Sequence, residues 1–102
     1  PQGTTNLFLH EHGHALDNFR GSGSISNSPA WRAAIGSDRS QAYLRNILGP
    51  YEFNNAEEGF AELFAYYHSC PEAASQIEER APDIYNFLRN LTSTAPYIPR
   101  NN

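Results

Sequence analysis

The sequence is poor in several features that mark common protein classes. Its single cysteine, Cys70, cannot form an intramolecular disulfide, which excludes a disulfide-stabilised scaffold. No apolar run approaches the roughly 20 residues that a membrane-spanning helix needs. The net charge is −4 and no basic cluster is present, so neither nucleic acid nor an anionic membrane is an expected partner.

The length and composition fit one folded unit. The 102 residues, of which 39% are hydrophobic and 13% aromatic, can bury a single modest core, and we expect residues 1–102 to form one domain. The chain begins at a proline in the middle of what reads as continuous sequence. We therefore expect a segment of a longer protein, and the lack of a signal peptide then excludes nothing.

The hydrophobic spacing predicts a mainly α structure with no strand. Two stretches are expected to be irregular between the helices, Gly21 to Pro29 and Tyr51 to Asn55, and an extended tail is expected over Thr92 to Asn102. A capping box, Ser69-x-x-Glu72, is expected to start the fifth helix. The predicted helices cover Leu7 to Phe19, Pro29 to Ile35, Arg39 to Leu48, Asn55 to Ser69, Ser69 to about Arg80, and Pro82 to Leu91.

The first of these helices contains the strongest chemical signal in the chain. Within LFLHEHGHALDNF, the residues His10, Glu11 and His14 form the pattern H-E-x-x-H. Residues four apart lie one turn apart on the same face of a helix, so two imidazoles can bind one zinc ion while the glutamate faces the water on that metal. The alternative is an amphipathic helix whose histidines are only solvated.

The two sides of this helix are expected to differ in role. Its apolar residues share one side with His12, which we expect to pack against the core: Phe8, Leu9, Leu16 and Phe19. The opposite side carries His10, His14 and Asp17. Asp17 either holds the outer nitrogen of a zinc histidine or is only a surface charge.

A catalytic zinc usually takes three protein ligands, so one more is needed. Glu58 and Glu62 lie four apart on one face of the fourth predicted helix, and Ala61 and Ala65 beside them would let that helix approach the first one closely. One carboxylate would bind the metal and the other would hold the far nitrogen of a zinc histidine. The spacing does not say which does which, and both could also belong to a solvated helix face.

Three stretches together carry a family resemblance: HEHGHALDNF, YEFNNAEEGFAELF from Tyr51, and His68-Ser69 followed by helix to about Leu91. They resemble the catalytic domain of anthrax lethal factor, a zinc metallopeptidase family that includes the secreted bacterial Pro-Pro endopeptidases. The resemblance implies a zincin-type helical core in which the H-E-x-x-H helix packs against the glutamate-bearing helix. The family's sheet, which precedes its zinc helix, is expected to be absent, so that this chain is the C-terminal part of a larger catalytic domain.

The resemblance also implies a role for each site residue and a Zn²⁺ cofactor. Glu11 would be the general base, Glu62 the carboxylate behind a zinc histidine, and Tyr51 the tyrosine facing the scissile carbonyl. The implied zinc ligands are His10, His14 and Glu58. The implied substrate is a protein or peptide, and the implied location is outside the producing cell or inside a host cell.

We therefore expect a zinc-dependent endopeptidase of the gluzincin type, in which Glu11 removes a proton from a metal-activated water. The competing hypothesis is a non-catalytic module of the same fold that docks a partner protein. A purely structural zinc site is disfavoured, because such sites tend to use four protein ligands and often cysteine.

Overall fold

The computed structural model of the protein describes residues 7–19 and 24–94. Within those residues all regular structure is helical and there is no strand, so the predicted mainly α class is confirmed. None of the helices in these two ranges is long and apolar enough to cross a bilayer. The elements are α1 Leu7–Phe19, a 3₁₀ turn Ile25–Asn27, α2 Pro29–Gly36, α3 Asp38–Ile47, α4 Pro50–Phe53, α5 Ala56–Ser69, α6 Pro71–Arg80 and α7 Pro82–Thr94.

Side-chain caps explain where three of the helices begin. The Ser28 hydroxyl accepts from the amide of Trp31 at the start of α2, and Ser37 does the same for α3. The amide oxygen of Asn55 accepts from the amide of Glu58 at the start of α5, at 3.1 Å. Each cap satisfies a backbone donor that has no partner inside its own helix. The cap of α5 therefore also orients the first turn, which carries Glu58.

The capping box predicted at Ser69 is wrong. Ser69 is the last residue of α5, and its hydroxyl donates to the carbonyl oxygen of Tyr66 at 2.7 Å. Cys70 is the N-cap residue of α6 instead and makes no side-chain cap. The break falls at Cys70 because the ring of Pro71 disfavours helical geometry in the residue before it.

Three stretches expected to be irregular are partly helical. Tyr51 lies in the short helix α4 rather than in a loop, and the glycine- and serine-rich stretch contains the 3₁₀ turn Ile25–Asn27. The last helix continues to Thr94, two residues beyond the predicted start of the tail. The remainder of that predicted tail, residues 95–102, lies outside the described residues, as do residues 20–23.

Helix α5 is at the centre of the fold. It packs against α1, α4, α6 and the 3₁₀ turn, while α7 packs against α2 and α6. The Trp31 ring of α2 meets Phe60 of α5 and Phe87 of α7 edge-on, each with ring centroids 5.1 Å apart. The largest fully buried apolar side chains are Trp31, Phe60, Phe64, Leu63, Ile77, Ile84 and Leu88. The middle turns of α5 are buried on the side that faces its neighbours, whereas Glu58 and Glu62 remain partly open to solvent.

The first turn of α1 is more exposed than its apolar sequence predicts. Leu7 and Phe8 are 71% and 72% exposed, whereas Leu16 is buried at 2%. The prediction that Phe8 faces the core is therefore wrong, and the side chain of Phe19 lies outside the described residues. His12 does lie on the core side, with its ring stacked on Phe64 at a centroid distance of 6.0 Å. Helix α1 is thus held through its middle and later turns.

The Tyr43 phenol is buried in the core, and burial is the main reason that its pKa lies well above the ordinary value, followed by the effect of Tyr66. Its hydroxyl has no hydrogen-bond partner within the described part of the chain. We expect Tyr43→Phe to leave the free energy of unfolding unchanged or to raise it by up to about 1 kcal/mol, because a desolvated hydroxyl is removed.

Urea titrations of the variant at pH 7 and pH 10.5 test this expectation. In the wild type the unfolded phenol ionises above its ordinary pKa while the folded one stays neutral, so stability falls at alkaline pH. The variant should lose less stability than the wild type between the two pH values. A destabilisation above about 1 kcal/mol at pH 7 would show that the hydroxyl is hydrogen-bonded.

Candidate metal centre

Three potential ligands from two helices meet at one point. The two oxygens of Glu58 on α5 lie 3.1 Å from the Nε2 atoms of His10 and His14 on α1, one oxygen to each ring. The two imidazoles are 4.8 Å apart, centroid to centroid, and stand almost edge to face. Their positions follow from the four-residue spacing, which stacks the rings one turn apart on the same side of α1.

The second glutamate lies behind the first histidine. Oε1 of Glu62 is 2.9 Å from Nδ1 of His10, on the opposite side of the ring from Glu58. A carboxylate only accepts hydrogen bonds when ionised, so a neutral His10 that donates to Glu62 carries its proton on Nδ1. Nε2 is then the nitrogen whose lone pair can bind a metal, which is the usual arrangement of a zinc histidine and its supporting carboxylate.

The residues present fit a zinc ion. One ligand atom from each of His10, His14 and Glu58 lies within 4.8 Å of the others, and all three side chains are partly accessible. Tetrahedral ligands at zinc bond lengths of about 2.1 Å lie roughly 3.4 Å from one another, close to the 3.1 Å between Glu58 and each histidine. Two nitrogens and one carboxylate oxygen are a catalytic zinc donor set with one position left for water.

The close approach of α1 and α5 depends on two small residues. A Cβ atom on Gly13 would lie 3.0 Å from the Cα of Ala61 and 3.2 Å from the Phe64 ring. Ala61 is itself fully buried, as its predicted place between the glutamates requires. The sequence analysis did not identify Gly13 as a packing residue. A glycine in the middle of a strongly predicted helix weakens that helix, and this indicates that close packing requires it there.

We expect Gly13→Ala to lower the free energy of unfolding by about 1–3 kcal/mol, because the added methyl group meets the backbone of α5 and forces the helices apart. Metal affinity should fall at the same time, since the three ligands come from both helices. Urea unfolding and zinc titration measure the two effects.

Gly36→Ala is the matched control, because a Cβ at that helical position meets nothing within 4 Å. It should be neutral or stabilise the protein by up to about 1 kcal/mol through helix propensity. If Gly13→Ala behaves like the control, the separation of α1 and α5 does not depend on this glycine.

Asp17 does not lie beside the zinc histidines, where one of the two predictions for it placed it. It is fully buried, and its two oxygens accept from the backbone amide of Ser26 at 2.7 Å and from the Ser26 hydroxyl at 2.8 Å. The carboxylate therefore supports neither His10 nor His14. It joins the last turns of α1 to the 3₁₀ turn, whose Ile25 enters the core. The helical pattern could not show this, because the partner lies in a stretch that looks flexible.

Replacing Asp17 by alanine should lower the free energy of unfolding by about 3 kcal/mol, because two hydrogen bonds to a charged group are lost and the Ser26 donors stay buried. The measurement is urea unfolding with a chelator present. Asp83→Ala, which removes an exposed carboxylate, is the control and should change stability by less than about 1 kcal/mol. A large loss of zinc affinity without loss of stability would instead return Asp17 to the metal site.

The other two predicted site residues remain open to solvent. Glu11 is exposed on α1, and Tyr51 is 64% exposed on α4. The structure brings neither side chain into hydrogen-bonding contact with the three clustered residues, so their chemical roles stay predictions. His68 packs its ring against Phe64 at 4.6 Å, within the aromatic part of α5.

Comparison with known proteins agrees with the resemblance drawn from the motifs. A family model described as anthrax toxin lethal factor, N- and C-terminal domain, matches residues 1–91. A curated Pro-Pro endopeptidase of Clostridioides difficile (strain 630) is 36% identical over 86 residues, which are 84% of this chain and 37% of that protein. The chain therefore spans little more than a third of the length of that relative. No solved structure matches significantly.

Proposed function

The chain belongs to the anthrax toxin lethal factor family, and on that premise we propose that it is a zinc-dependent endopeptidase with a zincin-type, gluzincin site. His10, His14 and Glu58 would hold the metal. The observation that carries the proposal is the meeting of both oxygens of one glutamate with the outward nitrogens of two histidines. Solvated helix faces do not need that convergence.

Each remaining residue has a defined task in this proposal. Zinc, when bound, supplies Lewis acidity that activates water and polarises the substrate carbonyl. Glu11 accepts the proton of the attacking water and later delivers it to the leaving amine. The Tyr51 hydroxyl donates a hydrogen bond to the carbonyl oxygen as negative charge develops there. Glu62 keeps the His10 ring in one tautomer and orientation.

The substrate class and location are proposed from the relatives. The name of the curated relative states that it is an endopeptidase acting on Pro-Pro, so peptides with a Pro-Pro bond are the first substrates to test, beside a randomised peptide library. The family description names a toxin, which supports action outside the producing cell or inside a host cell. Because the chain spans 37% of the relative, the activity of the whole protein is part of the proposal.

The test combines metal content with cleavage. The purified chain is stripped with a chelator, dialysed against zinc and analysed by mass spectrometry, then incubated with both peptide sets. We expect about one zinc per chain and cleavage that stops when the chelator returns. Absence of bound zinc would refute the proposal. Bound zinc without cleavage of any peptide would favour the docking module.

A further inference from the structure

The helix α4, which carries the proposed catalytic residue Tyr51, is short and exposed. It has four residues, none of them buried, and its Tyr51 points largely into solvent. A helix this short has no stability of its own. Its place relative to Glu58 must therefore come from contacts with neighbouring elements.

The closest of these contacts involves Gly59, the residue after Glu58. Gly59 is buried, and a Cβ atom there would lie 2.9 Å from the carbonyl oxygen of Glu52 in α4. That oxygen belongs to the backbone and cannot rotate away as a side chain could. Tyr51 is the residue that precedes Glu52 in the chain. The absence of a side chain at position 59 thus sets how near the Tyr51 backbone lies to the first turn of α5.

A second contact involves Phe53, the last residue of α4. Phe53 packs against the core, and the guanidinium carbon of Arg45 on α3 lies over its ring at 5.6 Å from the centroid. A cation over an aromatic face stabilises this placement. Helix α4 therefore packs against α5 and meets α3 through the Arg45–Phe53 contact.

We propose that Gly59 is a positioning residue that fixes Tyr51 relative to the metal ligands, through the backbone contact between α4 and α5. The inference rests on the proposed function, because it gives Tyr51 its purpose. It adds a residue that touches neither substrate nor metal. A glycine is needed at position 59 because the backbone of α4 comes close to α5 there, and not because the residue has an unusual backbone angle.

A cobalt-loaded chain with 3-fluorotyrosine tests the geometry without an activity assay. Paramagnetic cobalt shifts each fluorine resonance according to its position relative to the metal, and the Tyr51 resonance is the one lost in Tyr51→Phe. We expect Gly59→Ala to move the cobalt-induced shift of Tyr51, and Gly36→Ala to leave it in place. An unmoved Tyr51 resonance in Gly59→Ala overturns the inference alone, whereas a wild type that binds no cobalt or zinc overturns the proposed function with it.

Kinetics separate this role from a general structural one. Tyr51→Phe should lower kcat about 100-fold, the usual loss for one donor to a developing oxyanion. Gly59→Ala should lower kcat about tenfold or more with KM and zinc affinity within about threefold of wild type. Combined with Tyr51→Phe it should cause no further loss. A fully additive double variant, or loss of zinc from Gly59→Ala, would show that Gly59 does not act through Tyr51.

If Gly59→Ala fails to fold, Arg45→Gln replaces it. Arg45 is exposed, so the variant should fold while it removes the cation from the Phe53 ring. It should move the same Tyr51 resonance and lower kcat severalfold. An unchanged resonance and an unchanged kcat in that variant would overturn the inference.

Discussion

Replacing Glu11 by glutamine is expected to lower peptide hydrolysis by about 10³-fold while the chain keeps its zinc. The amide has the size of the carboxylate but cannot accept the proton of the attacking water, and general-base catalysis contributes about 10²–10⁴-fold. Zinc should be retained because Glu11 forms no ion pair or hydrogen bond with Glu58 or with either histidine ring of the cluster. Initial rates and zinc content of one preparation provide both readings.

Glu78→Gln is the control for this variant, since Glu78 is an exposed glutamate on α6 with no part in the proposed site. It should cleave at the wild-type rate. If Glu11→Gln cleaves as fast as this control, the observed hydrolysis does not use Glu11, and a contaminating protease becomes the first explanation to test. If Glu11→Gln loses its zinc, the residue acts through the metal site.

Replacing Glu58 by alanine is expected to remove zinc from the chain and, with it, all cleavage. The variant loses the side chain that lies between both imidazoles, so two nitrogens from one helix would be the remaining protein ligands. The loss of affinity should exceed the roughly 10–100-fold that removal of a carboxylate behind a ligand causes. Competition with a chromophoric chelator measures the affinity.

Variants of the two neighbouring glutamates test whether Glu58 acts as a zinc ligand or only as a nearby negative charge. Glu57→Ala removes an exposed carboxylate from the same helical turn and should leave zinc affinity within about threefold of wild type. Glu62→Ala removes the partner of His10 Nδ1 and should weaken zinc binding by about 10–100-fold. A larger loss in Glu62→Ala than in Glu58→Ala would reverse the two proposed assignments.

The local patterns in the sequence predicted most of the helical layout. The last predicted helix, Pro82 to Leu91, is present as α7, on which Ile84, Leu88 and Leu91 are buried and Phe87 is partly buried. Ser37, the residue before α3, accepts a hydrogen bond from the amide of Ser40. Such features depend on residues within one turn of each other, which a sequence displays directly.

Predictions that needed a partner from elsewhere in the chain succeeded less often. Phe8 has the right residue type and phase for a core position, but its side chain is 72% exposed in the first turn of α1. Asp17 shares a helix face with His14 in sequence terms, yet its carboxylate is bound by Ser26 in the next element. Neither outcome can be computed from a helical period, since both depend on which surface another element covers.

The sequence by itself determined that the chain is mainly α, which family it belongs to, and that two histidines and two glutamates stack in pairs on two helices. Helical periodicity places such pairs without reference to the rest of the molecule. Only the tertiary structure supplies the register between α1 and α5, which brings both Glu58 oxygens to the two histidines and places Glu62 behind His10. The helical spacing left that choice open, and the family resemblance implied it. Gly13 lies at the contact between α1 and α5, and a Cβ atom on it would be 3.0 Å from the Cα of Ala61. The two residues are 48 positions apart, and no local pattern contains such a packing constraint.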